Sequence, residues 1–81
     1  MKNPVQMITE ERGATVTQLA ILAGVDETRV RQYLRGQPGR LTGKVLDALT
    51  RLGYDRDQLT TQYAEWRKAL ADETMTQLSV R

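Results

Sequence analysis

The chain has 81 residues with 12 basic and 10 acidic side chains, and it contains neither cysteine nor histidine. This length suits one small domain. The missing residue types exclude disulfides, thiolate metal sites, the usual general base and the commonest metal ligand. We therefore expect a protein that is not an enzyme and that uses no metal, cofactor or small-molecule ligand.

Positive charge is concentrated in the middle of the chain. Residues 24–44 hold five basic and two acidic side chains, whereas residues 45–81 hold five basic and six acidic ones. This asymmetry indicates a surface for a polyanion. No apolar run approaches the roughly 20 residues of a bilayer span, and the N-terminus lacks the apolar core of a signal peptide. We expect a soluble, cytoplasmic protein without a membrane partner.

Helical periodicity runs through almost the whole chain, and no segment alternates apolar and polar residues as a strand does. The fifth predicted helix is the longest and runs to at least Leu70, with Leu78 as its furthest end. The five predicted helices cover, in chain order, residues 4 or 5 to 12, 16–23, 27–35, 43–52, and 56 to between 70 and 78.

Capping residues and glycines set these bounds. Thr15 and Gln18 have the spacing of a capping box, in which two side chains satisfy free backbone N–H groups. Asp26, Thr42 and Asp55 are predicted at the starts of the third, fourth and fifth helices. Glycines are predicted to end the first four helices, at Gly13, Gly24, Gly36 and Gly53. Short connections between five helices predict an all-α, compact five-helix bundle.

The segment TQLAILAGVDETRVRQYLRG has the spacing of a helix-turn-helix. Ala20 is small where the two helices meet, and Gly24 lies where the turn needs a positive φ. Val25, Val30 and Tyr33 then fall on the side of the second helix that faces the core. The polar residues left pointing outward are Arg29, Arg31, Gln32 and Arg35.

Together with VLDALTRLGYDRDQL, this segment resembles the lambda-repressor/Cro-like family of helix-turn-helix DNA-binding domains over about residues 5–60. Two positions depart from that family's common pattern. Val16 stands where a glutamine often holds a phosphate, and Tyr33 is bulkier than the usual aliphatic residue. The resemblance implies a helix-turn-helix DNA-binding domain over residues 1–61, and residues 62–81 form an extension of the last helix with a possible role in dimerisation.

The resemblance implies that the third helix enters the major groove of double-stranded DNA. In the major groove, arginine can bind guanine, glutamine can bind adenine, and glutamate can accept a hydrogen bond from cytosine. The methyl group of threonine can contact thymine. The matching base-reading residues are Glu27, Thr28, Arg29 and Gln32. Contacts to phosphates fix the register without reading sequence. The residues expected at phosphates are Thr17, Arg31, Arg35, Arg40 and Lys44, and Gly36 and Gly39 are expected to let the loop backbone approach the DNA.

Other interpretations of these residues stay open. The arginines either contact DNA or form a solvated helix face. Glu27 either reads a base or only complements the helix dipole. The segment GQPGRLTGKV is not a phosphate-binding loop, because Pro38 and Val45 stand where that motif needs glycine and a hydroxyl residue.

The last helix carries an apolar stripe at helical spacing, beginning at Leu59. The stripe either covers the domain's own core, followed by a frayed polar tail beyond Asp72, or continues into an interface. Exposed apolar patches usually mark interfaces, so we expect a homodimer. The residues expected at the dimer interface are Tyr63, Trp66, Leu70, Met75 and Leu78.

The sequence thus predicts a sequence-specific transcriptional regulator of a bacterium or phage, associated with the nucleoid. We expect a repressor that binds an inverted-repeat operator as a homodimer, with half-sites about 34–36 Å apart. Two alternatives stay open. One is an antitoxin or adaptor-type interaction module that uses the C-terminal helix. The other is an architectural or recombination-directing DNA binder.

Overall fold

The computed structural model describes residues 2–79 of the chain. These residues form five α-helices and no strand, which confirms the all-α prediction. The fourth helix ends one residue earlier than predicted, and the fifth continues to the last described residue. The helices are α1 (Pro4–Arg12), α2 (Val16–Ala23), α3 (Glu27–Arg35), α4 (Gly43–Arg51) and α5 (Arg56–Ser79).

The first three helices end as the sequence predicts. Gly13, Gly24 and Gly36 each adopt the left-handed conformation just after the helix. Thr15 and Gln18 form both hydrogen bonds of the capping box at the start of α2. α2 is therefore specified by local sequence at both of its ends.

Two of the three other predicted caps differ in detail. Asp26 and Thr42 occupy the residues before α3 and α4, but neither side chain makes a capping hydrogen bond. The Asp55 carboxylate does accept one, from the backbone N–H of Gln58 at 3.0 Å. The residue after α4 is Leu52, in a right-handed conformation. Gly53, which was predicted to occupy this cap position, is the next residue along the chain.

The core lies where the five helices meet. α2 packs against α3 and α4, α5 packs against α1 and α4, and α1 also contacts α3. Ala20, Val30 and Tyr33 are buried as predicted, whereas Val25 is only half-buried. The other buried apolar residues are Val5, Ile8, Leu19, Ala23, Leu41, Val45, Leu46, Ala48, Leu49, Leu59 and Tyr63.

Buried polar groups tie α1 and α3 together. The buried amide of Asn3 donates hydrogen bonds to the carbonyl oxygens of Tyr33 at 2.8 Å and Leu34 at 3.3 Å. Its carbonyl oxygen accepts a hydrogen bond from the N–H of Val5 at 2.8 Å. Asn3 therefore caps α1 and positions it on the C-terminal half of α3.

α5 is the longest helix, with 24 residues, and it runs through residues 61 and 62 without a break. Its first turns are buried through Leu59 and Tyr63, and the ring of Tyr63 packs edge-on against Tyr33, with centroids 5.9 Å apart. Its last turns are helical and exposed, instead of frayed. The molecule measures 43 × 24 × 22 Å. Among the described helices, none combines the length and apolar character that crossing a bilayer requires.

Candidate nucleic-acid interface

α3 buries one side and presents the other to solvent. Residues three, four and seven apart on a helix share one face, and here that face carries only polar side chains. We call it the α3 outer face; its members are Thr28, Arg31, Gln32 and Arg35. Three of them are exposed and Gln32 is half-buried. The structure therefore brings together two predicted base-reading residues and two predicted phosphate contacts on one surface.

Arg29 lies at the edge of this face, on the side of α4. Its guanidinium group lies over the ring of Tyr33, 5.3 Å from the centroid, and donates to the Gln32 side-chain oxygen at 3.4 Å. A shallow groove is lined by Arg29, Thr42 and Lys44 together. A helix start carries partial positive charge, so the first turn of α4 adds to the positive potential around Arg29.

Glu27 lies on the opposite edge of the face. Its carboxylate forms an exposed ion pair with Arg31, one turn further along α3, at 3.1 Å. An exposed pair at this spacing is worth only about 0.3–0.5 kcal/mol. The charges of Glu27 and Arg31 neutralise each other in the free protein. Because the ion pair is weak, an anionic partner that binds Arg31 more strongly can break it.

The remaining predicted phosphate contacts surround α3. Thr17 is exposed in the first turn of α2, and three basic residues are exposed at the end of α3, in the loop after it and at the start of α4, namely Arg35, Arg40 and Lys44. Within residues 2–79, none of these three basic side chains forms an ion pair. These three positive charges are therefore uncompensated at the surface.

The loop from Gly36 to Leu41 departs from the prediction. Gly39 is exposed, but Gly36 is buried beneath the indole ring of Trp66. A β-carbon placed on Gly36 would lie 2.8 Å from two atoms of that ring. Gly36 is therefore a packing position and does not offer its backbone to a phosphate.

α5 holds this loop in place. The Arg67 guanidinium donates to the carbonyl oxygens of Gly36 at 2.9 Å and Gly39 at 3.4 Å. The Tyr63 hydroxyl donates to the carbonyl of Pro38 at 2.7 Å, and burial raises the pKa of that hydroxyl. Arg67 was missed from sequence because its partners are backbone carbonyls of a loop, which leave no pattern in the residue types.

The predicted dimer residues divide into three groups by burial. Tyr63 is fully buried within the chain, so the structure corrects its placement at an interface. Trp66 and Leu70 are half-buried and cover Gly36. Met75 and Leu78 are exposed, at 66% and 74%. Of the five predicted dimer residues, only Met75 and Leu78, in the last turns of α5, offer exposed side chains to a partner; outside α5, Ile21 of α2 is also exposed, at 76%.

No family model, curated protein or solved structure matches this chain. The function is therefore inferred from the α3 outer face and its surroundings.

Proposed function

We propose that α2 and α3 form a helix-turn-helix and that the protein binds double-stranded DNA with α3 in the major groove. The α3 outer face carries this proposal. It is polar along its whole length, it has no acidic member, and it belongs to a helix whose other side is fixed in the core by Val30 and Tyr33. A major groove admits one such helix.

Base reading falls to the N-terminal half of the face. Thr28 and Gln32 offer a methyl group and an amide, and Arg29 offers a paired donor for guanine. The stacking of Arg29 on Tyr33 limits its freedom, so less side-chain entropy is lost when it binds a base. Glu27 is the fourth base-reading residue of the proposal, through a hydrogen bond from a cytosine amino group.

Phosphate binding falls to the residues around the face. Arg35 is the last residue of α3 and ends the face, Arg40 lies in the loop that follows, Lys44 lies at the start of α4, and Thr17 lies at the start of α2. Such contacts position the protein on the duplex and supply affinity that falls with salt. Arg31 joins them when its ion pair with Glu27 opens.

In the cell, we assign the chain the role of a transcriptional repressor of a bacterium or phage, bound to its operator in the nucleoid. A homodimer would place two copies of α3 on an inverted repeat. The exposed end of α5 is the surface available for the second copy. Repression would follow from occupying the promoter.

Matched arginine variants test the DNA contact. Arg35→Gln removes a charge from the α3 outer face, and Arg56→Gln removes the same charge at the start of α5, where Arg56 pairs with Asp47 of α4. The slope of log Kd against log salt, measured by fluorescence anisotropy on a duplex, should fall by about one for Arg35→Gln. It should not change for Arg56→Gln. Equal effects of the two variants would remove the support for this surface.

A protein-binding module, such as an antitoxin or adaptor, is the second candidate. The exposed Met75 and Leu78 favour it, because large apolar side chains in solvent commonly mark protein interfaces. If this is the function, variants of the α3 outer face should leave binding to the partner protein unchanged, and variants at the end of α5 should abolish that binding. An architectural role would instead appear as a large DNA bend angle with normal α3 contacts.

A further inference from the structure

One face of α5 is left uncovered by the rest of the chain. Shallow grooves follow each other along this face, from the loop after α3 to the end of the helix. Small residues line the middle of the surface, and Met75 and Leu78 lie at its end, both exposed. The α5 residues in these grooves include Ala64, Lys68, Ala71, Met75 and Leu78.

The charges around the middle of this face are ordered. The segment RKALADE, residues 67–73, has two basic residues before Leu70 and two acidic residues after it. Of these, Lys68 and Asp72 flank the uncovered face, whereas Arg67 binds the loop carbonyls and Glu73, four residues after Ala69, lies on the opposite side of the helix. Reversing the direction of the helix exchanges Lys68 with Asp72. Such a segment attracts an antiparallel copy of itself and repels a parallel one.

Lys68 and Asp72 show that these charges are available. They are four residues apart and therefore lie on one side of the helix. A pair at this spacing often closes within one chain, yet residues 2–79 contain no ion pair between them. Both side chains are exposed, so they are free to pair with another molecule.

We infer that the second copy of this chain binds along α5 in the antiparallel direction, with the two-fold axis near Leu70. Lys68 of each copy then faces Asp72 of the other. Ala71 lies beside the axis, where its small side chain lets the two helices approach closely. The inference rests on the homodimer of the proposed function and gives that dimer its geometry.

The same arrangement accounts for the two exposed apolar side chains at the end of α5. With the axis near Leu70, Met75 and Leu78 lie alongside residues 61–65 of the other copy. The groove there is lined by Leu41, Thr60, Thr61 and Ala64. Met75 and Leu78 of each copy would fill this groove of its partner and lose their exposure to water.

Single cysteines test the direction of pairing, because the chain has no native cysteine. Ala71→Cys near the axis should form a disulfide with itself under mild oxidation. Ala69→Cys, exposed on the opposite side of α5, is the matched control and should not. Leu78→Cys should also fail, since antiparallel pairing separates the two copies of residue 78 by about 24 Å, sixteen residues at 1.5 Å each.

Charge exchange tests the Lys68–Asp72 contact. Lys68→Asp and Asp72→Lys should each weaken dimerisation by about tenfold, measured by analytical ultracentrifugation, because each places like charges together twice. The double variant should recover the wild-type dimerisation constant. Far-UV circular dichroism monitors the helix content, so that a change in α5 itself is not mistaken for a change in association.

These experiments need no DNA, so their outcome is independent of DNA binding. Self-linking by both Ala71→Cys and Leu78→Cys would indicate a parallel dimer and overturn the inference. A monomer at the concentrations where the protein binds DNA would overturn it as well. A dimer with the expected linking pattern that does not bind DNA would support the inference and contradict the proposed function.

Discussion

At the residue scale, Gly36 meets two physical demands at once. Its φ of 79° is in the left-handed region that ends α3, and the absence of a side chain leaves room for Trp66. Sequence predicted the first demand, because glycine ends a helix in a recognisable place. It could not predict the second, because Trp66 lies thirty residues further along the chain.

Gly36→Ala should therefore destabilise the protein more than a glycine change that adds strain alone. The left-handed backbone costs about 1–2 kcal/mol, and displacing the indole adds about 1–3 kcal/mol. Gly13→Ala is the matched control, since Gly13 has a φ of 61° and no atom near its β-position. Urea unfolding measures both. Equal losses in the two variants would contradict the packing of Trp66 on Gly36.

Tyr63 carries a pH-dependent part of the stability. Burial raises the pKa of its hydroxyl above the ordinary value of 10.0, and Arg67 opposes the shift. As the pH rises through 10.0, Tyr63 ionises first in the unfolded chain. Its contribution to stability is therefore complete below that pH and is lost as the pH rises towards the folded-state pKa.

The corresponding prediction compares wild type with Tyr63→Phe. At neutral pH the variant should lose about 1 kcal/mol, because the hydrogen bond to the carbonyl of Pro38 is gone. Above about pH 10 the difference between the two proteins should shrink, since only wild type loses the Tyr63 contribution. Chemical denaturation across this pH range is the measurement. A difference that stays constant would contradict the raised pKa.

At the element scale, α3 presents both signs of charge. Glu27→Gln should strengthen binding to random duplex DNA, because the variant removes repulsion from phosphates and releases Arg31. It should also weaken discrimination at one base pair if Glu27 accepts a hydrogen bond from cytosine. Glu65→Gln, an exposed change on α5, is the control. Competition binding with specific and random duplexes separates the two effects.

An unchanged preference among bases in Glu27→Gln, with tighter binding overall, would assign Glu27 to the helix dipole alone. If Glu27→Gln lost affinity for every duplex, both the base-reading role and the helix-dipole role would be contradicted. In neither role does the carboxylate attract DNA of every sequence.

The helices also show which features could be predicted from the sequence and which could not. Caps and glycines predicted the helix bounds because these signals act within a few residues. The apolar stripe of α5 predicted a buried face correctly for Leu59, but the same spacing serves a core and an interface equally. Only the fold places Tyr63 against Tyr33 and Trp66 over Gly36, and leaves Met75 and Leu78 in solvent.

At the scale of the whole molecule, the loop after α3 connects the two proposed surfaces. The hydroxyl of Tyr33 donates to the carbonyl of Thr42 at 3.0 Å, and Tyr63 and Arg67 hold the loop from α5. α3 and α5 are therefore joined by packing and hydrogen bonds. A dimer built on α5 would fix the separation of its two α3 helices, and hence the spacing of the DNA half-sites.

DNA reading by α3 is the central claim, and selection of binding sites from a random duplex pool tests it most directly. The experiment uses the full chain at near-physiological salt, because phosphate contacts make affinity depend on ionic strength. We expect an enriched inverted repeat whose half-sites lie one helical turn, or a multiple of one turn, apart. A pool that shows no enrichment after selection would contradict the claim.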